Sequence, residues 1–168
     1  MSTDSTLRDV GSDPRVGTWA RRSGLLVLLG IVVAAAFGVF GVHSRTTTEH
    51  ADGYGLRITY PQVARAGLDV PFRVHVSYPQ APKSITIAIT SDYFRMFETQ
   101  GFYPSPDTQK NDGRFVQFQF DGPPSDGMEL EYDAYVQPAA QLGKRATVQV
   151  LVGGKIVVQT TIRTWLVP

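Results

Sequence analysis

The sequence has 168 residues, is nearly balanced in charge with 16 Lys and Arg against 15 Asp and Glu, and contains no cysteine. The missing cysteines exclude disulfides, a lipidated cysteine anchor and a blue-copper site, so we expect a fold held by its hydrophobic core alone. Twelve basic and twelve acidic residues lie from His43 onward, which argues against nucleic acid or an anionic membrane surface as the main partner.

The first element is the uncharged run of residues 24–42. At about 1.5 Å per residue it spans roughly 28 Å, close to the hydrocarbon thickness of a bilayer. Four arginines precede the run and only Arg45 follows it closely. The positive-inside rule then predicts a single-pass protein of the cell membrane, with the N-terminus in the cytoplasm. The predicted parts are a disordered cytoplasmic tail (1–20), a transmembrane helix (21–43), a polar linker (44–55) and an extracytoplasmic domain (56–168).

A cleaved signal peptide is the alternative interpretation of the same run. Residues 25–33 would be its apolar region and the alanines at 34–36 its cleavage site. Residues 37–42 continue the apolar run without a polar break, which favours an uncleaved anchor.

Small residues form a stripe along one face of the predicted span. Gly30, Ala34 and Gly38 follow each other at four-residue spacing, and Gly41 lies close by. Small residues at this spacing let two helix backbones approach closely, which predicts a docking face for a partner helix or a second copy. The alternative is that Gly and Ala are common in the membrane spans of organisms with GC-rich genomes.

The rest of the chain alternates apolar and polar residues with period two, which predicts strands with one apolar face. Turn residues separate the strands, and Gly153-Gly154 has the composition of a two-residue hairpin. The predicted fold is mainly β: a seven-stranded antiparallel immunoglobulin-like β-sandwich preceded by one transmembrane helix, with a closed barrel as the alternative. The predicted strands are 56–60, 72–77, 85–90, 116–120, 130–136, 148–152 and 156–163.

One stretch breaks this pattern, because residues 91–98 have helical apolar spacing after a potential capping serine. Its aromatic residues predict either a binding patch for a protein or a sugar, or a helical plug that closes one end of the core. Trp165 near the last strand is a further candidate contact. The candidate patch consists of Tyr93, Phe94, Arg95, Phe97, Phe102, Tyr103 and Trp165.

Motifs of known catalytic chemistry are missing from the sequence. No Gly-x-Ser-x-Gly, phosphate-binding glycine loop or His-Glu-x-x-His occurs, and no histidine stands at metal-ligand spacing. We therefore expect no enzyme, no metal and no cofactor. A weak hydrolase with a carboxylate pair among Asp92, Glu98 and Asp107 remains as an alternative.

Three sequence segments resemble parts of bacterial immunoglobulin-like domains of the CARDB type. They are 63–67 leading into 71–74, 112–116 leading into Phe118, and 136–138 followed by 143–145 and the hairpin at Gly153. Together they cover roughly residues 54–168, and the chain is similar to actinobacterial single-pass membrane proteins with one such ectodomain. The aromatic insertion departs from a minimal domain of this type.

The resemblance implies adhesion or accessory interaction, with no cofactor and no catalytic residues. The predicted function is a non-catalytic, membrane-anchored accessory or assembly subunit that docks on an integral membrane protein through its helix and its β-sandwich. The alternative is a cell-surface binding module for glycan or peptide that uses the aromatic insertion 93–103.

Overall fold

The structure, a computed structural model, describes residues 14–36, 41–140 and 142–167. The chain separates into two compact units, Met1–Gly41 and Val42–Pro168. The first unit is described by one helix, and the second is mainly β.

Helix α1 (Pro14–Ala36) is the described part of the first unit. Its segment Gly17–Ala36 is 20 residues long, has a mean hydropathy of 1.6 and buries none of its side chains, so it is long and apolar enough to cross a membrane. The helix begins before the predicted span because Pro14, whose fixed φ suits the first helical position, is followed by residues compatible with a helix. Most of the predicted tail, and Gly38 of the small-residue stripe, lie outside the described residues.

The described part of the second unit contains eleven strands and one short helix. All seven predicted strand segments lie within strands, but the predicted number of seven is not confirmed, because four further strands are present. The elements are β1 (His43–Ala51), β2 (Tyr54–Arg65), β3 (Asp69–Ser77), β4 (Ser84–Thr90), α2 (Ser91–Phe94), β5 (Phe97–Tyr103), β6 (Thr108–Asn111), β7 (Phe115–Asp121), β8 (Met128–Val136), β9 (Arg145–Val152), β10 (Lys155–Arg163) and β11 (Trp165–Val167).

The strands form two sheets. The first has the order β1-β2-β3-β8-β5, with β11 pairing with β2, and the second has the order β10-β9-β4-β7-β6. All neighbours are antiparallel except β11, which runs parallel to the end of β2. The apolar faces of both sheets contribute to one hydrophobic core, which the alternating burial along β3, β7 and β8 reflects. The hairpin at Gly153-Gly154 is confirmed, with positive φ at both glycines and Val152 opposite Lys155.

The segment 44–55, predicted to be a linker, is mostly strand. β1 pairs with β2 along its length, and the hydroxyls of Thr46 and Thr59 lie 2.9 Å apart across the pair. The prediction was wrong because the segment is polar on both faces, while its β-branched threonines suit an exposed edge strand.

The helix predicted for residues 91–98 ends after four residues. α2 covers Ser91–Phe94, and β5 begins at Phe97, where it pairs with β8. Pairing with a neighbouring strand therefore overrides the helical spacing of the local sequence.

Candidate functional site

In the structure, the residues of the aromatic patch predicted from the sequence differ in how deeply their side chains are buried. The side chains of Tyr93 and Phe97 are buried in the core, at 0% and 2% exposure. Those of Phe94 and Phe102 are partly buried and pack against the core. Tyr103 is 80% exposed, and Arg95 is exposed as well. The insertion thus acts as the predicted plug with its buried residues, while its partly buried residues reach the surface.

The position of α2 explains this difference in burial. The chain leaves β4 in the second sheet, makes one turn of helix and enters β5 in the first sheet. α2 therefore lies between the two sheets at one end, where residues on one side of the turn face the core. Its remaining side faces the gap between the edge strands β5 and β6.

A buried chain of hydroxyl groups fixes α2 in place. The Tyr93 hydroxyl lies 2.8 Å from Thr164 Oγ1, and Thr164 Oγ1 donates to the Pro61 carbonyl at 2.6 Å. Because the hydroxyl proton of Thr164 is directed to Pro61, Tyr93 is the donor to Thr164. Burial raises the pKa of Tyr93 above its ordinary value, with smaller contributions in the same direction from Tyr60 and Tyr132. Tyr93 therefore stays protonated and keeps its donor role.

Aromatic rings pack around α2 in mutual contact. The Phe94 ring makes edge contacts with Tyr93, Phe102, Phe118 and Tyr132. The Phe102 ring stacks on Tyr132 with centroids 4.7 Å apart and lies 4.3 Å from Phe118. These contacts make an apolar floor, in which the Phe102 ring is stacked on Tyr132 and packs against Phe118.

Above this floor an open cleft of about 400 Å³ lies between the two sheet edges. Three phenylalanines and Val116 supply its apolar part, and polar groups form its rim. The lining residues are Ser91, Phe94, Arg95, Phe102, Gln109, Asn111, Gly113, Val116 and Phe118. We call it the aromatic cleft. Among the described residues, β5 pairs only with β8 and β6 only with β7, so the other edge of each strand can offer backbone groups to a ligand.

The turn between β6 and β7 closes one end of the aromatic cleft. Asp112 Oδ1 accepts hydrogen bonds from the backbone N–H of Arg114 at 2.9 Å and of Phe115 at 2.7 Å. These bonds hold the pKa of Asp112 below its ordinary value. Ser91 Oγ donates to the Gly113 carbonyl at 2.7 Å and makes no cap for α2, contrary to its predicted role.

Two of the three acidic residues considered for hydrolysis, Asp92 and Asp107, have structural partners. Asp92 Oδ2 lies 2.9 Å from Lys144 Nζ, and Asp107 Oδ2 accepts the backbone N–H of Asp121 at 2.8 Å. Within the part of the chain that the structure describes, no group of three or more His, Asp or Glu side chains is placed to hold a metal ion.

The residues of the predicted helix-docking face are only partly described. Gly30 and Ala34 lie on α1, where a Cβ added at Gly30 would meet no atom within 4 Å. Gly41 lies just before the β unit, and Gly38 is among the residues that are not described.

Trp165 lies away from the aromatic cleft, in a groove along the other edges of the sheets. This second groove, which sequence reasoning missed, also has a volume of about 400 Å³. It lies between β1 and β10, and Arg45, Arg145 and Arg163 are among its lining residues. No local sequence signal reveals it, because these arginines come from three separate strands. We call it the basic groove.

No protein-family model matches the chain. No curated protein matches it significantly either.

Proposed function

We propose that the chain is a non-catalytic, single-pass membrane subunit whose N-terminus is cytoplasmic and whose β unit is an extracytoplasmic immunoglobulin-like sandwich. The proposal rests most directly on α1, whose segment Gly17–Ala36 is long and apolar enough to cross a membrane. Such a helix needs a lipid or protein environment, since an apolar face exposed to water is unfavourable.

Docking of α1 on a partner helix is the first part of the proposed function. Gly30 and Ala34 lie on one face of the helix, and a Cβ added at Gly30 would meet no atom within 4 Å. Membrane helices gain packing energy when small residues allow close backbone approach. We infer an integral membrane partner, or a second copy of the chain, on this face.

A pull-down of the tagged full chain in mild detergent tests this part. Gly30→Leu/Ala34→Leu is compared with Val32→Leu/Ala36→Leu, which adds bulk on the opposite helix face. The native chain and the control variant should recover a stoichiometric membrane partner or a second copy, and the stripe variant should lose it. Recovery of the native chain alone, or equal loss with both variants, would refute docking through this stripe.

A second function is favoured by the aromatic cleft, namely the binding of an extended peptide segment. The Phe102 ring of the floor packs closely against Tyr132 and Phe118, which leaves it little free face on which a sugar can stack. An apolar side chain needs only the floor, and an extended backbone can pair with the free edge of β5 or β6. The cleft therefore fits a peptide better than a glycan.

Two substitutions on one strand test the cleft. Gln109 pairs with buried Phe118 and lines the cleft, whereas its neighbour Lys110 pairs with Gln117 and is absent from the lining. Gln109→Phe should fill the cleft and weaken recovery of a peptide partner, while Lys110→Phe should leave recovery unchanged. Equal recovery with both variants would show that the cleft is not part of the binding surface.

A further inference from the structure

The basic groove is a second surface with a chemistry of its own. It runs along the free edge of β10, facing the edge strand β1 of the other sheet. Arg45 comes from β1, Arg145 from β9 and Arg163 from β10, and Glu49 is the acidic residue among those that line the groove. The β unit is neutral in total, so its fold concentrates positive charge here.

The three arginines have no carboxylate partner within the described residues. The ion pairs found there join Arg73 to Glu131, and Arg95 and Lys144 to Asp92. Arg145 and Arg163 stand directly opposite each other in the β9–β10 pair. Like charges in this arrangement destabilise a strand pair, and a bound anion would relieve their repulsion.

Trp165 holds one of these arginines in a defined orientation. The Arg163 guanidinium carbon lies 3.4 Å from the centroid of the Trp165 ring. A guanidinium that stacks by its face on an aromatic ring keeps its N–H edge free for an anion, and this edge matches the oxygens of a phosphate. The indole is itself 48% exposed.

The sequence position of Arg45 indicates which kind of phosphate compound the groove binds. Arg45 is the ninth residue after Ala36, where the apolar segment of α1 ends, and the third after the uncharged run 24–42, so the proposed anchoring ties Arg45 to the bilayer by a short stretch of chain. Arg145, Arg163 and Trp165 share one groove with it. Tryptophan is enriched at the membrane interface, and arginines near a membrane surface attract anionic lipids.

We propose that the basic groove binds the phosphate of an anionic lipid headgroup in the membrane that holds α1. This inference rests on the proposed membrane anchoring. Its occupant is a lipid of the protein's own membrane, and the groove would thereby orient the β unit on the bilayer surface.

Trp165 provides a reporter for the test. Trp19 and Trp165 are the two tryptophans of the chain, so Trp19→Phe leaves the one in the groove. The full chain with this change is reconstituted into phosphatidylcholine vesicles that contain a small fraction of lipid brominated near its headgroup. Either phosphatidylglycerol or phosphatidylcholine carries the bromine, and quenching of Trp165 fluorescence measures which lipid lies beside it.

We expect brominated phosphatidylglycerol to quench Trp165 more strongly than brominated phosphatidylcholine at the same fraction. The double variant Arg145→Gln/Arg163→Gln should reduce this preference by about fivefold for each arginine removed. The single variant Arg45→Gln should reduce it as well. Arg57→Gln/Arg114→Gln removes the same charge outside the groove and should leave it unchanged.

Three results would overturn the proposal. Equal quenching by the two lipids, in vesicles that carry the protein on flotation, would reject the groove and leave the anchor intact. Failure of the protein to float with vesicles would reject the anchor itself. Displacement of the preference by soluble glycerol phosphate at low millimolar concentration would assign the groove to a free phosphate compound.

Discussion

The two open edges of the β unit carry opposite chemistry. At the β5/β6 edge, α2 and its aromatic neighbours fill the gap between the sheets, and the buried hydroxyl chain to Thr164 anchors them. At the β1/β10 edge the gap is lined by three arginines without carboxylate partners in the described residues. The first edge combines stability with an apolar floor, whereas the second brings like charges together, with Arg145 directly opposite Arg163.

Because of this difference, we expect substitutions at the two edges to have different effects on the free energy of unfolding. Substitutions at the aromatic cleft should lower the free energy of unfolding, because the same rings close the core. Substitution of Arg145 in the basic groove should leave that free energy unchanged or raise it, because Arg145 faces the like charge of Arg163.

The largest expected effect compares an aromatic residue from each edge. Phe94→Ala removes contacts with four rings and should lower the free energy of unfolding by about 3 kcal/mol. Trp165→Ala, at a half-exposed site, should lower it by about 1 kcal/mol. Urea unfolding of the full chain in detergent measures both, with exposed Tyr103→Ala as the control. Equal losses of unfolding free energy at the two edges would contradict the claim that the β5/β6 edge contributes more to stability than the β1/β10 edge.

The next largest loss of stability is expected when the hydroxyl groups of the buried chain are removed. Thr164→Val leaves the buried Tyr93 hydroxyl and the Pro61 carbonyl without their partner, at a cost of about 2 kcal/mol. Tyr93→Phe keeps the bond from Thr164 to Pro61 and should cost about 1 kcal/mol. The same unfolding measurement checks the order of the two variants, and a larger loss with Tyr93→Phe would contradict the central place of Thr164 in the hydroxyl chain.

The basic groove predicts a small effect of the opposite sign. Arg145→Gln removes one of two like charges that face each other and should stabilise the chain by about 0.5 kcal/mol. High salt should erase the gain by screening. Arg73→Gln, which breaks the 2.9 Å ion pair with Glu131, serves as the control and should destabilise slightly. Destabilisation by Arg145→Gln would mean that this arginine supports the fold.

The smallest effect concerns the turn that closes the aromatic cleft, and it depends on pH. Because folding lowers the pKa of Asp112, its charge stabilises the fold above the ordinary aspartate pKa. This contribution is lost as the pH falls through the lowered value. Asp112→Asn should therefore lower the unfolding temperature slightly at neutral pH and converge with the native chain in acid. Asp69→Asn, at the exposed start of β3, is the control, and a pH-independent difference at position 112 would exclude the charge as its cause.

Strands with one buried face could be predicted from the sequence, since alternation along segments such as 72–77 and 130–136 follows from the strand geometry. β1 and β6 were missed because their residues are mostly exposed, which leaves no apolar alternation to detect. The helix predicted for 91–98 failed because its apolar residues serve two elements, α2 and β5, which pack on the same core.

The sites were less predictable because their residues meet only in the fold. The aromatic residues of the cleft lie close together in sequence, and their enrichment could be recognised. Tyr93 and Thr164 are 71 positions apart, and Thr164 and Pro61 are 103 apart. The arginines of the basic groove likewise come from three strands of two sheets, so nothing in the sequence links them.

The cysteine-free sequence allows the most direct test of the central claim, the membrane topology. Single cysteines are introduced as Ser5→Cys in the N-terminal segment and Ser125→Cys on the exposed loop before β8, and intact cells are treated with a membrane-impermeant maleimide. With a cytoplasmic N-terminus and an extracytoplasmic β unit, we expect labelling at position 125 in intact cells and at position 5 only after lysis, both on a chain of full mass. Labelling at position 5 alone in intact cells, or a mature chain that has lost it, would contradict the proposed anchor.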